Sequence, residues 1–133
     1  MNSLIKGISI AALALALPIA AQASEPDLEK GAKVFKKCQA CHTLEEGGAN
    51  KIGPNLHGIF TRPAASAADF NYSDAMTAKG AEIGTWTDEF LTEYLAKPRD
   101  FVPGTNMSFA GLRKESDLAN ILAFLKQETG AAE

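Results

Sequence analysis

Apolar side chains recur at helical spacing in three stretches of the chain, residues 27–41, 88–97 and about 116–129. Each stretch begins at a residue type that caps helix N-termini: Asp27, Thr87 and Ser116. The second and third stretches end at helix-breaking residues, Pro98 and Gly130. The third carries the strongest apolar stripe, so the pattern predicts three amphipathic helices that share one core.

A fourth, shorter helix is predicted at residues 73–79, between the cap Ser73 and the closing residue Gly80. The segments 43–71 and 99–112 show little periodicity. Unsupported loops of that length are uncommon in small domains, and they suit a chain that wraps around a ligand. We therefore predict an all-α fold of three main helices plus a short helix, with long loops and no strand.

The N-terminal residues 1–23 have the pattern of a secretory signal peptide. A lysine precedes a short apolar run, and Ala21-Gln22-Ala23 forms an A-x-A cleavage site. The run is too short to cross a bilayer, which requires about 20 residues. We expect cleavage after Ala23, a mature domain of residues 24–133, and export to the bacterial periplasm.

The composition limits the class of protein. The 133 residues include 13 Lys and Arg against 16 Asp and Glu, a formal charge of −3. Nucleic-acid binding is disfavoured because neutralising phosphates requires a surplus of basic residues. A chain this short supports one small domain, whose thin core would gain from a bulky apolar group at its centre.

The motif that carries chemistry is Cys38-Gln39-Ala40-Cys41-His42, a C-x-x-C-H sequence. This sequence is the attachment signature of c-type haem. At the end of a helix the two cysteines lie one turn apart, so each can form a thioether with a haem vinyl group. His42 follows directly and is placed to ligate the iron through Nε2.

Three other interpretations of the two cysteines are weaker. A thioredoxin-like C-x-x-C requires a βαβ context, which the pattern lacks. A structural zinc site requires four ligands, and the chain has only two Cys and two His, with His42 next to Cys41. A disulfide between Cys38 and Cys41 would close a loop too small to add much stability. Covalent haem attachment is therefore favoured.

An electron-carrying haem needs a second axial ligand, and the candidates are Met107, Met76 and His57. Met107 lies in the turn-rich segment 103–107, which can fold a thioether over a flat cofactor. Met76 lies in a predicted helix, where methionine is more often core filler, and His57 suits a surface or hydrogen-bonded role. Because imidazole and thioether form a known electron-carrier pair, we favour His42 and Met107.

With these residues in place, residues 27–129 resemble the soluble class I c-type cytochromes, especially the mitochondrial-type and bacterial short-chain carriers. The markers of the resemblance are Gly31 and Phe35, Cys38 to His42, Gly53-Pro54-Asn55-Leu56-His57-Gly58, Thr85-Trp86, Tyr94-Leu95, Pro103-Gly104-Thr105 and Met107. The resemblance implies the small cytochrome c fold around one covalent haem c.

The resemblance also implies roles for residues around the haem. The Pro54 carbonyl would accept a hydrogen bond from Nδ1–H of His42 and so fix the imidazole ring. Trp86 and Tyr72 would donate to a haem propionate, and Arg62 would offset its charge. The remaining expectations concern packing, with Tyr94 beside the Met107 sulfur, Phe109 over the haem edge, and Gly31 and Phe35 against Phe124.

The implied function is one-electron carriage in the periplasm rather than catalysis. The donor would be a membrane cytochrome bc complex, and the acceptor a terminal oxidase, a photosynthetic reaction centre or a periplasmic reductase. Two further hypotheses are a dedicated carrier for one periplasmic enzyme, and a haem sensor or peroxidase-like enzyme. The last needs a five-coordinate iron, against which Met107 argues. We expect a monomer that neither inserts into the membrane nor binds nucleic acid.

Mitochondrial-type carriers surround the haem edge with lysines, and this chain departs from that pattern. Asp100 and Asn106 occupy positions that are commonly lysine. Positive charge near the edge is expected from Lys37, Arg99, Arg113 and Lys114. We therefore expect a partial basic face that steers encounter with an acidic partner.

Overall fold

The computed structural model describes residues 14–18 and 24–130. Most of the predicted signal peptide, including its cleavage site, lies outside the described residues. Five helices follow one another: α1 (Leu28–Phe35), α2 (Asp74–Ile83), α3 (Asp88–Ala96), α4 (Pro98–Phe101) and α5 (Glu115–Thr129). Residues 24–130 contain no strand, only an isolated antiparallel bridge between Pro63 and Thr85. The prediction of an all-α fold is confirmed.

The packing of α1 against α5 is the most extensive between any two helices of the described chain. Gly31 permits the close approach, because a Cβ at that position would collide with the Asn120 carbonyl oxygen. The rings of Phe35 and Phe124 lie beside it, with centroids 5.7 Å apart. The Asn120 side chain accepts a hydrogen bond from the Asp27 backbone N–H at 2.8 Å. The expected packing of the first helix against Phe124 is confirmed.

α1 is shorter than the helix predicted to run to residue 41. Beyond Phe35 the regular helix gives way to turns of mixed span. Cys38 N–H bonds to the Phe35 carbonyl at 2.8 Å and Cys41 N–H to the Cys38 carbonyl at 3.0 Å, while Gln39 N–H and His42 N–H reach back four residues to the same two carbonyls at 3.0 Å. Bonds that reach back three residues are typical of 3₁₀ geometry at helix ends. The C-x-x-C-H motif therefore follows the helix on tightened turns and is not part of it.

The predicted end of the second helix at Gly80 is wrong. α2 continues to Ile83, and its C-cap is Gly84, whose φ of 74° favours glycine. Gly80 lies buried within the helix, where a Cβ would come within 2.9 Å of the Ala64 carbonyl oxygen. Glycine at position 80 therefore permits close packing against the preceding loop. The sequence pattern alone does not distinguish a glycine with this role from one that ends a helix.

The stretch 99–112, predicted to be irregular, overlaps the one-turn helix α4. Pro98 ends α3 as predicted and also opens α4, since the first position of a helix needs no N–H donor. A single turn lies below the length at which apolar periodicity can be recognised, so the pattern gave no sign of it.

The predicted cap of the last helix at Ser116 is also wrong. α5 begins at Glu115, and Lys114 in the cap position makes no side-chain hydrogen bond. The first turn instead carries Glu115 and Asp117, whose negative charges interact favourably with the helix dipole. The predicted end at Gly130 is confirmed by its left-handed conformation, with φ at 75°.

The hydrophobic core surrounds a cavity. Buried apolar side chains from α1, α3, α5 and the loops form one cluster, which includes Phe35, Trp86, Leu95 and Ile121. All four also line a central cavity. Across the described residues, no helix combines the length and hydropathy that a bilayer crossing would demand.

Candidate functional site

The central cavity has a volume of about 490 Å³. That volume falls within the range of roughly 300–1,000 Å³ typical of small-molecule and cofactor sites. All ten residues predicted for the site line it: Cys38, Cys41, His42, Pro54, Arg62, Tyr72, Trp86, Tyr94, Met107 and Phe109. A second hollow of about 500 Å³ lies between α3 and α5 and contains none of them.

The charge of the cavity lining differs from that of the chain. The chain has more acidic than basic residues, but among the described residues the only charged side chains along the cavity are Lys37 and Arg62. Both are cationic, and within residues 14–18 and 24–130 no Asp or Glu lines the space. An apolar cavity with two cations suits a cofactor that is largely apolar and carries negative groups.

Cys38 and Cys41 are free thiols on the tightened turns that follow α1. Burial, followed by the neighbouring Cys41, raises the pKa of the Cys38 thiol above its usual range. The thiol therefore stays protonated at neutral pH. Two thiols spaced three residues apart along one cavity wall suit attachment of a cofactor at two points.

The His42 imidazole is oriented by the backbone around it. Its Nδ1 lies 2.8 Å from the Pro54 carbonyl oxygen, which accepts the Nδ1–H hydrogen bond. That bond fixes the tautomer and leaves the Nε2 lone pair free for a metal. Burial lowers the pKa of His42, so the ring is neutral at physiological pH. The expected contact between His42 and Pro54 is present.

Gly53 forms a cradle for the same ring. A Cβ on Gly53 would collide with Cε1 of His42 and come within 2.8 Å of both ring nitrogens. The Gly53 N–H also donates to the Cys41 carbonyl at 2.8 Å, which ties this loop to the C-x-x-C-H turns. Glycine therefore occupies this position because the imidazole fills the space of a side chain.

Met107 reaches the cavity from the irregular segment that follows α4. Its backbone N–H donates to Thr105 Oγ1 at 3.2 Å, and the same hydroxyl oxygen lies 3.0 Å from the Tyr94 hydroxyl. Burial raises the pKa of Tyr94, with the Thr105 hydrogen bond opposing, so the phenol remains protonated. Tyr94 is thus linked through Thr105 to the Met107 backbone, a bridge that the sequence analysis did not anticipate.

The structure distinguishes the other two candidate ligands, Met76 and His57, by their position relative to the cavity. Met76, in the first turn of α2, lines the same cavity as Met107. His57 does not line it. The Nδ1 of His57 lies 3.3 Å from the Leu44 carbonyl oxygen. His57 is therefore a hydrogen-bonded residue outside the cavity, as the sequence favours.

The three polar residues predicted near a propionate have partly satisfied hydrogen bonds. Tyr72 Oη accepts from the Ala67 N–H at 2.9 Å and keeps its own proton to donate. Arg62 donates to the carbonyls of His57 and Asn55 at 3.1 and 3.0 Å, which fixes its guanidinium at the cavity wall. Trp86 stacks on Tyr94 with ring centroids 5.2 Å apart.

These features together test whether the residues fit a covalent haem. The cavity holds two thiols, an imidazole with a free Nε2 lone pair, a cradle that only glycine permits, and two thioethers. Imidazole and thioether are ligands that suit haem iron. The donor set and the apolar lining of the cavity fit the group.

Comparison with known proteins agrees with this geometry. Residues 28–129 match the family model described as cytochrome c. Cytochrome c of Stellaria longipes is 49% identical over 106 residues, which cover 79% of this chain and 95% of that protein. Cytochrome c-550 of Ancylobacter novellus is 48% identical, covering 73% and 91%, and cytochrome c2 of Agrobacterium tumefaciens is 44% identical, covering 76% and 91%. The chain belongs to the cytochrome c family.

Proposed function

We propose that this protein is a periplasmic one-electron carrier whose haem c is attached through Cys38 and Cys41 and ligated by His42 and Met107. Electron carriage by one covalent haem c, without enzymatic catalysis, follows from membership in the family. The periplasmic location is supported by the signal-peptide pattern of residues 1–23. The proposed donor is a membrane cytochrome bc complex, and the acceptor is an oxidase, a reaction centre or a periplasmic reductase.

The observation that carries the proposal is the convergence of both thiols, the oriented imidazole and Met107 on one cavity. When bound there, haem supplies an iron that gains and loses single electrons. The Pro54 carbonyl holds the Nδ1 proton of His42, so the ring offers Nε2 in a fixed orientation. With the His42 imidazole and the Met107 thioether both bound to the iron, no coordination position would remain open for a substrate.

The other residues that line the cavity have supporting roles. The largely apolar lining disfavours water in the cavity, and the protonated Tyr94 adds no negative charge there. Arg62 would offset the charge of a carboxylate carried by the cofactor. Tyr72 and Trp86 keep a hydroxyl and an indole N–H as donors to such carboxylates.

The test of covalent attachment is an intact mass. The protein isolated from the periplasm of an expressing bacterium should have the mass of the chain from Ser24 plus one haem. A Cys38→Ser, Cys41→Ser double variant should show no covalent haem and accumulate little, because the cavity then lacks its tethered core. A native mass equal to apoprotein, or haem removed by acidified organic solvent, would contradict the proposal.

Carbon monoxide binding distinguishes the carrier from a sensor or peroxidase-like protein. A reduced iron with two protein ligands should not bind carbon monoxide at neutral pH. Rapid formation of a carbon monoxide complex by the wild-type protein would indicate an open coordination position and overturn the proposed ligation by Met107.

Charge reversal at Lys37 should slow electron exchange with an acidic redox partner. Lys37 is exposed and lines the haem cavity, and charges act over a screening length of about 8 Å at physiological salt. Lys37→Glu should lower the second-order rate constant with a purified bacterial cytochrome bc complex several-fold at low salt, with the difference vanishing at high salt.

The matched control is Lys33→Glu, because Lys33 is an exposed lysine of α1 that does not line the cavity. Lys126 would be a poor control, since its ammonium pairs with Asp88 and lies 5.8 Å from the Phe60 ring centroid. Equal effects at Lys37 and Lys33 would show that net charge, rather than a local basic face, governs the encounter.

A further inference from the structure

Asn55 lies next to the haem cavity but does not line it, although the preceding residue, Pro54, does. Its side chain makes three hydrogen bonds within the loops that surround the C-x-x-C-H motif. Nδ2 donates to Thr43 Oγ1 at 2.8 Å and to the Glu45 carbonyl at 2.9 Å. Oδ1 accepts from the His57 N–H at 3.0 Å. Both hydrogens of the amide are therefore used, which only an amide side chain allows at this position.

The backbone of Asn55 is held as well as its side chain. Its N–H donates to Asn50 Oδ1 at 2.9 Å, and its carbonyl accepts from Arg62 Nη2 at 3.0 Å. A Cβ on Gly48 would come within 2.7 Å of Asn55 Nδ2 and 2.9 Å of Thr43 Oγ1, so glycine at position 48 leaves room for the amide. Every polar group of Asn55 thus has a partner, and its position is fixed from several directions.

These bonds join the two segments that form the hydrogen bond between His42 and Pro54. Thr43 directly follows His42 in the chain, and Asn55 directly follows Pro54. A second connection is the Leu56 N–H, which donates to the Thr43 carbonyl at 2.9 Å. Because each residue has only two soft backbone dihedrals, cross-links at the following residues limit how far the Pro54 carbonyl can move from Nδ1 of His42.

We infer that Asn55 is a positioning residue that sets the orientation of the His42 imidazole by holding the Pro54 carbonyl against its Nδ1–H. The inference rests on the proposed function, since it concerns how the proposed axial ligand is held. The ring orientation and basicity of a histidine ligand depend on the partner of its second nitrogen. Asn55 does not line the cavity, so it acts through Pro54 rather than on the cofactor.

The test follows the Nδ1–H proton of His42 in the reduced holoprotein by NMR. Asn55→Ala removes the donors to Thr43 and Glu45, so the bond to Pro54 should open more often. Exchange of the proton with solvent should become about tenfold faster, as expected for the loss of roughly one hydrogen bond. The shifts of the haem methyl protons in the ferric protein should also change, because the imidazole ring turns.

Two variants of Thr43 examine the same bond from its other end. Thr43→Val removes the acceptor for Asn55 Nδ2 and should also speed the exchange, whereas Thr43→Ser keeps the hydroxyl and should behave as wild type. Combining Thr43→Val with Asn55→Ala should add little to Asn55→Ala alone, because both changes remove one shared interaction.

Asn120→Ala is the matched control for a general loss of stability. Asn120 Oδ1 accepts the Asp27 N–H at 2.8 Å, and the residue does not line the cavity. This variant should unfold at a lower temperature than wild type but leave the His42 proton exchange and the haem methyl shifts unchanged.

The inference is overturned if Asn55→Ala exchanges the His42 proton at the wild-type rate. Equal acceleration in Asn55→Ala and Asn120→Ala also overturns it, since the proton then exchanges through overall unfolding. Should Asn55→Ala yield too little holoprotein, Thr43→Val decides in the same way. A wild-type protein that carries no covalent haem by intact mass would instead refute the proposed function.

Discussion

Met107→Ala is expected to remove the proposed methionine ligand of the haem iron and to lower the reduction potential, whereas Met76→Ala should do neither. Both methionines line the cavity, so the pair is a test within one site. A thioether favours Fe(II), and its loss favours Fe(III). The near-infrared absorption that reports the bond between methionine and ferric iron should disappear in the first variant only.

We choose Met107 because hydrogen bonds hold its segment in place. Thr105 Oγ1 accepts the Met107 N–H at 3.2 Å and lies 3.0 Å from the Tyr94 hydroxyl, so this segment is tied to α3. Thr105→Val removes that bridge while keeping its size, and the Met107 absorption band should weaken. Loss of the band in Met76→Ala, with retention in Met107→Ala, would reverse the assignment.

Gly53→Ala is expected to be the most damaging single methyl addition at the site. The new Cβ would occupy the position of the His42 ring, so the imidazole must move and the Nδ1 bond to Pro54 must lengthen or break. Overpacking of this kind costs about 1–3 kcal/mol of stability. We expect a lower yield of holoprotein, an altered ferric spectrum and a thermal midpoint reduced by several degrees.

Gly47→Ala is the matched control. Its φ of 69° is unfavourable for alanine, but a Cβ there would meet nothing within 4 Å. It should lower stability by roughly 1 kcal/mol through backbone strain and leave the haem spectrum unchanged. If both variants lose stability with unaltered spectra, the cradle formed by Gly53 is not what orients His42.

The residues that motif and resemblance name for the site lie together in the fold, whereas several predicted helix ends are wrong. The C-x-x-C-H sequence and the resemblance identified ten residues, and the fold brings all ten to one cavity. The helix ends predicted at Gly80 and Ser116 are wrong because glycine and serine each occur at more than one kind of position in and around helices. Gly80 serves a close contact with Ala64, and α5 begins one residue before Ser116. Tertiary contacts determine which of these positions each residue occupies, and the local sequence does not encode those contacts.

Other features had no local signal at all. Ala65, on the cavity wall, has a φ of 57°, a conformation that alanine rarely adopts and that nothing in its neighbours indicates. The Thr105 bridge depends on the distance between a loop and α3, which follows from folding rather than from spacing. The bond from Asn55 to Thr43 likewise depends on the course of the loops that carry the two residues.

The contact of α1 with α5 leads to an expectation about folding after synthesis. Asp27 bonds to Asn120 across 93 positions, and Gly31 contacts the same residue. Contacts between distant parts of a chain form slowly, because a long loop must close before they are made. The cysteine pair lies just after α1, so we expect its thiols to remain accessible until α5 packs against α1. A chain truncated before Glu115 should therefore remain a substrate for haem attachment while failing to reach a protease-resistant state.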